Sequence, residues 1–283
     1  VDPLGVVLDP SALAFGPAAS LSGGPAAAFG SSGFLVAWED DRSGFSDIWC
    51  ARLDAGGGVL DPAGVLVSPT PNAERAPAVA FDGTNYLAVW EDDRNGEQDL
   101  YGARVTPSGA VLDPAGIAIS TAPGIQGRPA LAFGAGEYLV VWQDGRSVSS
   151  DVYAARVLVD ATVAEPDGVA VAAGSYSELN AAVASDGAAF FVVWQDGRGS
   201  PETIWGARVG ATAVVTDVGG VAISPAGTRA LQPAVAFGAG EYLVAWVREA
   251  IVSEDLYGAR VSTGGVVLDP ASAPPASAEA ARF

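Results

Sequence analysis

Short apolar stretches alternate with turn-like breaks along the whole chain, and their spacing predicts strands. PAVAF from Pro77 to Phe81 is a run of small apolar residues closed by the turn DGTN. From Tyr86 to Asp92, Tyr86, Ala88 and Trp90 fall on one face of a two-residue period and Leu87 and Val89 on the other. Both faces are apolar, which predicts a strand buried on both sides rather than a sheet with one wet face. A third strand is expected over LYGARV, Leu100 to Val105, and the turn TPSG leads to a fourth, interrupted one in AVLDPAGIAIS. Its Asp113-Pro114 step suits an outer edge, because proline cannot donate to a central ladder. No segment sustains a helical period.

This pattern repeats without gaps. Trp38, Trp90, Trp142, Trp194 and Trp246 are spaced 52 residues apart, and so are Arg52, Arg104, Arg156, Arg208 and Arg260. The same step joins Asp9, Asp61, Asp113, Glu165, Asp217 and Asp269, one copy more than the tryptophans. Four antiparallel strands per unit, repeated five times, predict an all-β fold: a five-bladed β-propeller over residues 1–283. The Ala-rich first strand would supply the small side chains that a tight centre needs. The surplus element is expected to close the ring: residues 1–20 as a closing strand, with Val6 to Phe15 beside Leu256 to Val261, and 271–283 as a tail.

Charge narrows the partners. Acidic residues outnumber basic ones 33 to 14, every basic residue is arginine, and the net charge is −19. A phosphate backbone or an anionic membrane would be repelled. No apolar run approaches the roughly 18 residues of a membrane span. With no histidine in the chain, a Ser-His-Asp triad and His-containing zinc sites are excluded. Cys50 is the single cysteine and cannot form an internal disulfide. Its counterparts are Gly102, Ala154, Gly206 and Gly258, so a small buried filler is expected there. The chain opens at Val1 without a charged, apolar leader, and from this a mature secreted or cell-surface protein is expected.

The segments WEDDRSGFSDIWCARL and WEDDRNGEQDLYGARV resemble the WD40-like propeller repeats of the TolB type, found in bacterial exported proteins, in which a D-R-x-G turn precedes D-I-Y. The resemblance implies the fold and an exported location, and no activity. Two units depart from it, with Thr203 in place of the expected Asp and WVREA in place of the acidic turn.

The turn WEDDR or WQDGR sets Asp40, Asp92, Asp144 and Asp196 two residues after Trp, and Arg42, Arg94, Arg146 and Arg198 four after it. Trp as a stacking platform with Asp and Arg would make a repeated ligand pocket. A turn in which Arg pairs with a carboxylate such as Asp47, with Trp packed between blades, is the favoured account. The Arg52 column is expected to form ion pairs. Glu39-Asp40 and Glu91-Asp92 suggest calcium, though a solvated acidic turn fits them better, and no cofactor is expected.

Five-bladed propellers also house glycosidases, whose paired carboxylates should break the repeat. The departures Glu137, Glu178, Glu241, Arg248 and Glu249 form no recognisable pair in sequence. The balance leans against an enzyme. A non-enzymatic binding or scaffold module is expected, with a multivalent lectin second and a glycoside hydrolase third. Strand parity puts the strand 2 to 3 turn and the connection after strand 4 on one face, where the copies diverge most. A protein or glycan partner is expected there, around Arg75, Gln126, Tyr176, Glu178, Arg229, Arg248 and Glu249.

Overall fold

The computed structural model describes residues 13–16, 22–249 and 254–269. Nineteen strands and no helix are found among them. The first sheet holds β1 (Ser22–Phe29), β2 (Gly33–Asp40), β3 (Asp47–Asp54) and β4 (Val65–Leu66). The second holds β5 (Glu74–Phe81), β6 (Tyr86–Asp92), β7 (Asp99–Val105) and β8 (Ile117–Ser120), the third β9 (Gln126–Gly134), β10 (Glu137–Asp144), β11 (Asp151–Leu158) and β12 (Val169–Ala172). The fourth holds β13 (Glu178–Ser185), β14 (Ala189–Asp196), β15 (Thr203–Gly210) and β16 (Val221–Ala222), and the last β17 (Arg229–Gly238), β18 (Glu241–Glu249) and β19 (Glu254–Ser262). Each sheet is an antiparallel meander in chain order. The fold is a five-bladed β-propeller.

The inner strands β1, β5, β9, β13 and β17 neighbour one another in turn, and their alanines allow that approach. The fourth strand is interrupted as its Asp-Pro step requires: Val105 bridges Val111, and pairing resumes with Tyr101 opposite Ala118. Between the two pieces the chain turns through left-handed glycines, Gly64, Gly116, Gly168 and Gly220. A Cβ on Gly168 would stand 2.6 Å from Cζ2 of Trp142, so no larger residue fits beneath the ring.

Packing between blades follows one rule. Leu35, Ala37, Ile48 and Cys50 of the first blade meet Tyr86, Trp90, Ala103 and Val105 of the second. The same contact recurs between blades two and three, three and four, and four and five. Trp90, Trp142 and Trp194 are fully buried in these seams. Cys50 is one of the fillers, and burial pushes its thiol up to about 12.

The two repeated charged motifs are structural. Arg52 grips Asp61 through Nε and Nη2 at 2.7 and 2.8 Å and reaches Pro107 O of the next blade through Nη1. Arg104–Asp113, Arg156–Glu165, Arg208–Asp217 and Arg260–Asp269 repeat the pair. In the turn motif Arg42 pairs with Asp40, not with Asp47, and Trp38 Nε1 donates to the same carboxylate at 3.1 Å. The guanidinium lies over Trp49, 3.9 Å from its ring centre. Arg94, Arg146 and Arg198 do the same over Tyr101, Tyr153 and Trp205. In the last blade Arg248, two residues after Trp246, takes over this stacking on Tyr257. The carboxylate two residues after the tryptophan is therefore not solvated: Asp40 and Asp92 are buried and hydrogen-bonded to the turn arginines. No cluster of three or more His, Cys, Asp or Glu side chains among the described residues is arranged to hold a metal ion.

Most of the segment expected to close the ring, and the C-terminal tail, lie outside the described residues. Leu13 to Gly16, which are described, form no strand, and the Phe15 ring stands 6.3 Å from that of Trp38 in the first blade.

Candidate functional site

Each inner strand carries a bulge near its start, where the register with the second strand slips. The residue at the slip is left-handed in every blade: Gly24, Ala76, Arg128, Asn180 and Gln232, with φ between 50° and 54°. Side chains adopt this conformation at a cost, so four non-glycine examples in register mark a feature the fold maintains. The bulge turns a backbone amide out of the ladder. That amide must find an acceptor.

In two blades the acceptor is a carboxylate from the preceding blade. Ala76 N donates to Glu39 Oε1 at 2.8 Å, and Arg128 N to Glu91 Oε1 at 2.6 Å. Glu39 and Glu91 follow the packed tryptophans on β2 and β6, so strand alternation sends them to the face opposite Trp38 and Trp90. A Cβ on Gly24 would push the Glu39 carboxylate aside. The second oxygen of Glu91 accepts from Gln98 Nε2.

Glu39 and Glu91 share the wall of a cavity of about 740 Å³ with Arg75, Gln98, Ile125, Arg128 and Gln143. The wall draws on the ends of β2, β6 and β10 and on the strand 2 to 3 and strand 4 to 1 connections. The two carboxylates sit in unlike surroundings. Glu91 is buried, and desolvation raises its pKa; the charge of Glu39 raises it further, against the hydrogen bond from Arg128 N and the Arg128 charge. Glu39 is half-buried. A carboxyl whose pKa is raised by burial beside one more open to water is the arrangement that acid and base chemistry on one substrate requires.

Sequence reasoning passed over this pair because it treated Glu39 and Glu91 as part of a repeated turn. The column immediately after the tryptophans reads Glu39, Glu91, Gln143, Gln195 and Val247. Two carboxylates, two amides and a valine break the symmetry at one position, and that signal was available.

Of the residues expected on the variable face, only Arg75 lines this cavity, paired to Asp93 at 2.9 Å. Gln126 is instead buried, its Nε2 bonded to Gly124 O at 2.9 Å. Glu178 is likewise buried, between the third and fourth blades, and its Oε2 has no hydrogen-bond partner. Tyr176 is exposed on the loop before β13. Arg229 pairs with Glu202 and Glu249, and Arg248 donates to Tyr257 Oη, all away from this cavity. The tryptophans, being buried, offer no stacking platform for a repeated ligand site.

Solved structures share this architecture. The chain is similar to an exo-1,5-alpha-L-arabinanase from a bovine ruminal metagenomic library, with a TM-score of 0.51 and 10% identity over 89% of this chain and 97% of that one. It is similar to the GH43_1 enzyme of Xanthomonas citri complexed with xylose, with a TM-score of 0.51 and 14% identity over 93% and 94% of the two chains. A thermostable family-43 glycoside hydrolase gives a TM-score of 0.50 and 11% identity over 94% and 98%. The shared property is the fold. No family model matches the chain, and no curated protein does.

The resemblance to WD40-like repeats of the TolB type is thereby corrected: the turn motif that carried it serves blade packing, and the similar structures are glycoside hydrolases. The expectation of a non-enzymatic scaffold is corrected with it. The similar solved structures are glycoside hydrolases, the reading placed third from the sequence.

Proposed function

We propose that this propeller is a glycoside hydrolase acting on a glycan bound in the cavity of Glu39 and Glu91. The observation that carries the reading is that pair: two carboxylates from adjacent blades on one cavity wall, in unlike environments. Glu91, the more buried of the two and with its pKa raised by desolvation, takes the role of the acid at the leaving glycosidic oxygen. Glu39, more open to water, acts as its partner on the sugar or on the attacking water. No histidine is needed for this chemistry, which suits a chain that has none. A volume of about 740 Å³ accommodates one or two sugar rings. The arabinanase and the xylose-complexed enzyme that share the fold make pentose-containing glycans the first substrates to try.

The test is release of nitrophenol from aryl α-L-arabinofuranosides and β-D-xylosides, and of sugars from arabinan and xylan, between pH 4 and 8. Glu39→Gln and Glu91→Gln should each lower turnover by about a hundredfold or more with the melting temperature unchanged, since glutamine stands in the same column at Gln143 and Gln195. Activity should fall as pH rises past the elevated pKa of Glu91. No release from any of these substrates, or turnover untouched in both variants, would overturn the reading.

A further inference from the structure

Arg128 is the part of the cavity that the carboxylate pair leaves unused. Its backbone amide caps Glu91, but its guanidinium is a separate matter. Nη1 donates to Asn180 Oδ1 at 2.6 Å, a neutral partner. Among the described residues it makes no ion pair. This runs against the habit of the chain, where Arg42, Arg52, Arg94, Arg146 and Arg208, and Arg75 on the same wall, all face a carboxylate. In a protein with 33 acidic and 14 basic residues, leaving a guanidinium uncommitted is not a matter of short supply of carboxylates.

Its placement is as telling. Arg128 occupies the left-handed bulge position at a φ of 53°, which in the other blades carries Gly24, Ala76, Asn180 and Gln232. It is the one cation of that column, it lies on the cavity wall, and its side chain is exposed to the cavity's solvent. Asn180 fixes Nη1, so the Nε and Nη2 edge of the planar fork is oriented and unoccupied by protein carboxylates. Such an edge matches a carboxylate in two parallel hydrogen bonds.

Resting on the glycoside hydrolase reading of this cavity, we propose that its substrate carries an anionic group, the carboxylate of a uronic acid, and that Arg128 is the residue that selects it. The otherwise acidic surface disfavours anions in general. A single oriented guanidinium beside the carboxylate pair then admits the anion at one point and sets which sugar unit faces Glu39 and Glu91.

The experiment compares a xylo-oligosaccharide bearing a glucuronate branch with its unbranched counterpart, in binding by calorimetry and in hydrolysis, for the parent and for Arg128→Asn. Asparagine is the residue of the fourth blade at this position and tolerates the left-handed backbone, and melting curves verify that the fold is kept. The parent should prefer the branched compound by on the order of tenfold, as one charge-assisted pair provides. Arg128→Asn should bring the ratio close to one, and added salt should shrink it in the parent alone. Equal handling of both compounds by the parent, or a preference that survives Arg128→Asn, would sink the proposal. Hydrolysis of the unbranched compound without any preference would leave the hydrolase reading standing and this one refuted. Arg128-dependent binding of the uronate without hydrolysis would do the reverse.

Discussion

The fourth and fifth blades carry nearly the same strand pattern and differ in what covers them. Phe191 on β14 and Ile204 on β15 are completely buried, wedged against Tyr242, Val244 and Trp246 of the next blade. Their counterparts one repeat later, Leu243 on β18 and Leu256 on β19, are 54% and 79% exposed. The sequence makes both strands apolar on two faces. Among the described residues, burial of both faces is seen only where the next blade packs against the strand. A propeller blade is thus half a core, and its stability belongs to the seam rather than to the sheet.

The largest effect should come from cutting one side of a seam. Phe191→Ala removes a ring that fills the joint between blades four and five and is expected to cost about 3 to 5 kcal/mol. Leu243→Ala, at the same column in the open face, should cost less than about 1 kcal/mol. Denaturant titration of the two variants measures the difference. Equal losses would mean that Leu243 is covered in solution as Phe191 is, and the contrast between the blades would fall.

A second contrast is electrostatic. Glu74, Gln126, Glu178 and Ala230 occupy one column at the start of their inner strands, so the fifth blade lacks the polar group that the second, third and fourth bury. Glu74 is served by Thr70 Oγ1 and by Ile48 N. At Glu178 the equivalent of Thr70 is Gly174, one oxygen goes without a partner, and burial with the charges of Asp196 and Asp151 pushes the carboxyl up to about 8. Glu74 is pushed up, mainly by burial, to about 7. In both cases the folded state holds the proton more tightly than the unfolded chain. Their contribution is therefore fully present below the unfolded value of 4.5 and is lost as pH rises through the folded values. The parent should melt lower at pH 8.5 than at pH 5. Glu178→Gln, which copies Gln126, should flatten that slope and stabilise the protein at pH 8.5 by roughly 1 to 3 kcal/mol. A slope unchanged by the substitution would contradict the assignment.

Much of this architecture was legible in the chain. The gapless spacing of Trp38, Trp90 and their successors fixes blade number, because a tryptophan that fills one seam is needed once per seam. The Arg52 column was readable as ion-paired because it recurs in every unit, although its partner column, Asp61 and its successors, was not named from the sequence. The cavity was not legible in the same way. Its amides come from a bulge, and no residue type announces a bulge when Gly24, Ala76, Arg128, Asn180 and Gln232 all serve. Gln126 and Glu178 were expected on the surface because they border divergent loops. The first residues of β5, β9 and β13 turn inward between blades, which only the three-dimensional register reveals.

The smallest effect should lie in the arginine pairs of the same two blades. Arg208 grips Asp217 with both partners largely shielded, their side chains 29% and 14% exposed, whereas Arg260 and Asp269 are 52% and 44% exposed. The contacts are alike: Nε donates to the carboxylate at 2.8 Å in one and 2.9 Å in the other. Geometry being equal, the surrounding dielectric decides what each is worth, and water weakens the outer pair while salt screens it. Asp217→Asn should cost about 0.5 to 1 kcal/mol, near the upper end for partly shielded pairs. Asp269→Asn should shift the melting temperature less, and what shift there is should vanish in molar salt, since the Debye length there is about 3 Å. The deciding measurement is the melting temperature of both variants at low and high salt. A loss in Asp269→Asn as large and as salt-resistant as in Asp217→Asn would show that the fifth blade is as sheltered as the fourth, and would overturn the distinction drawn from Leu243 and Leu256.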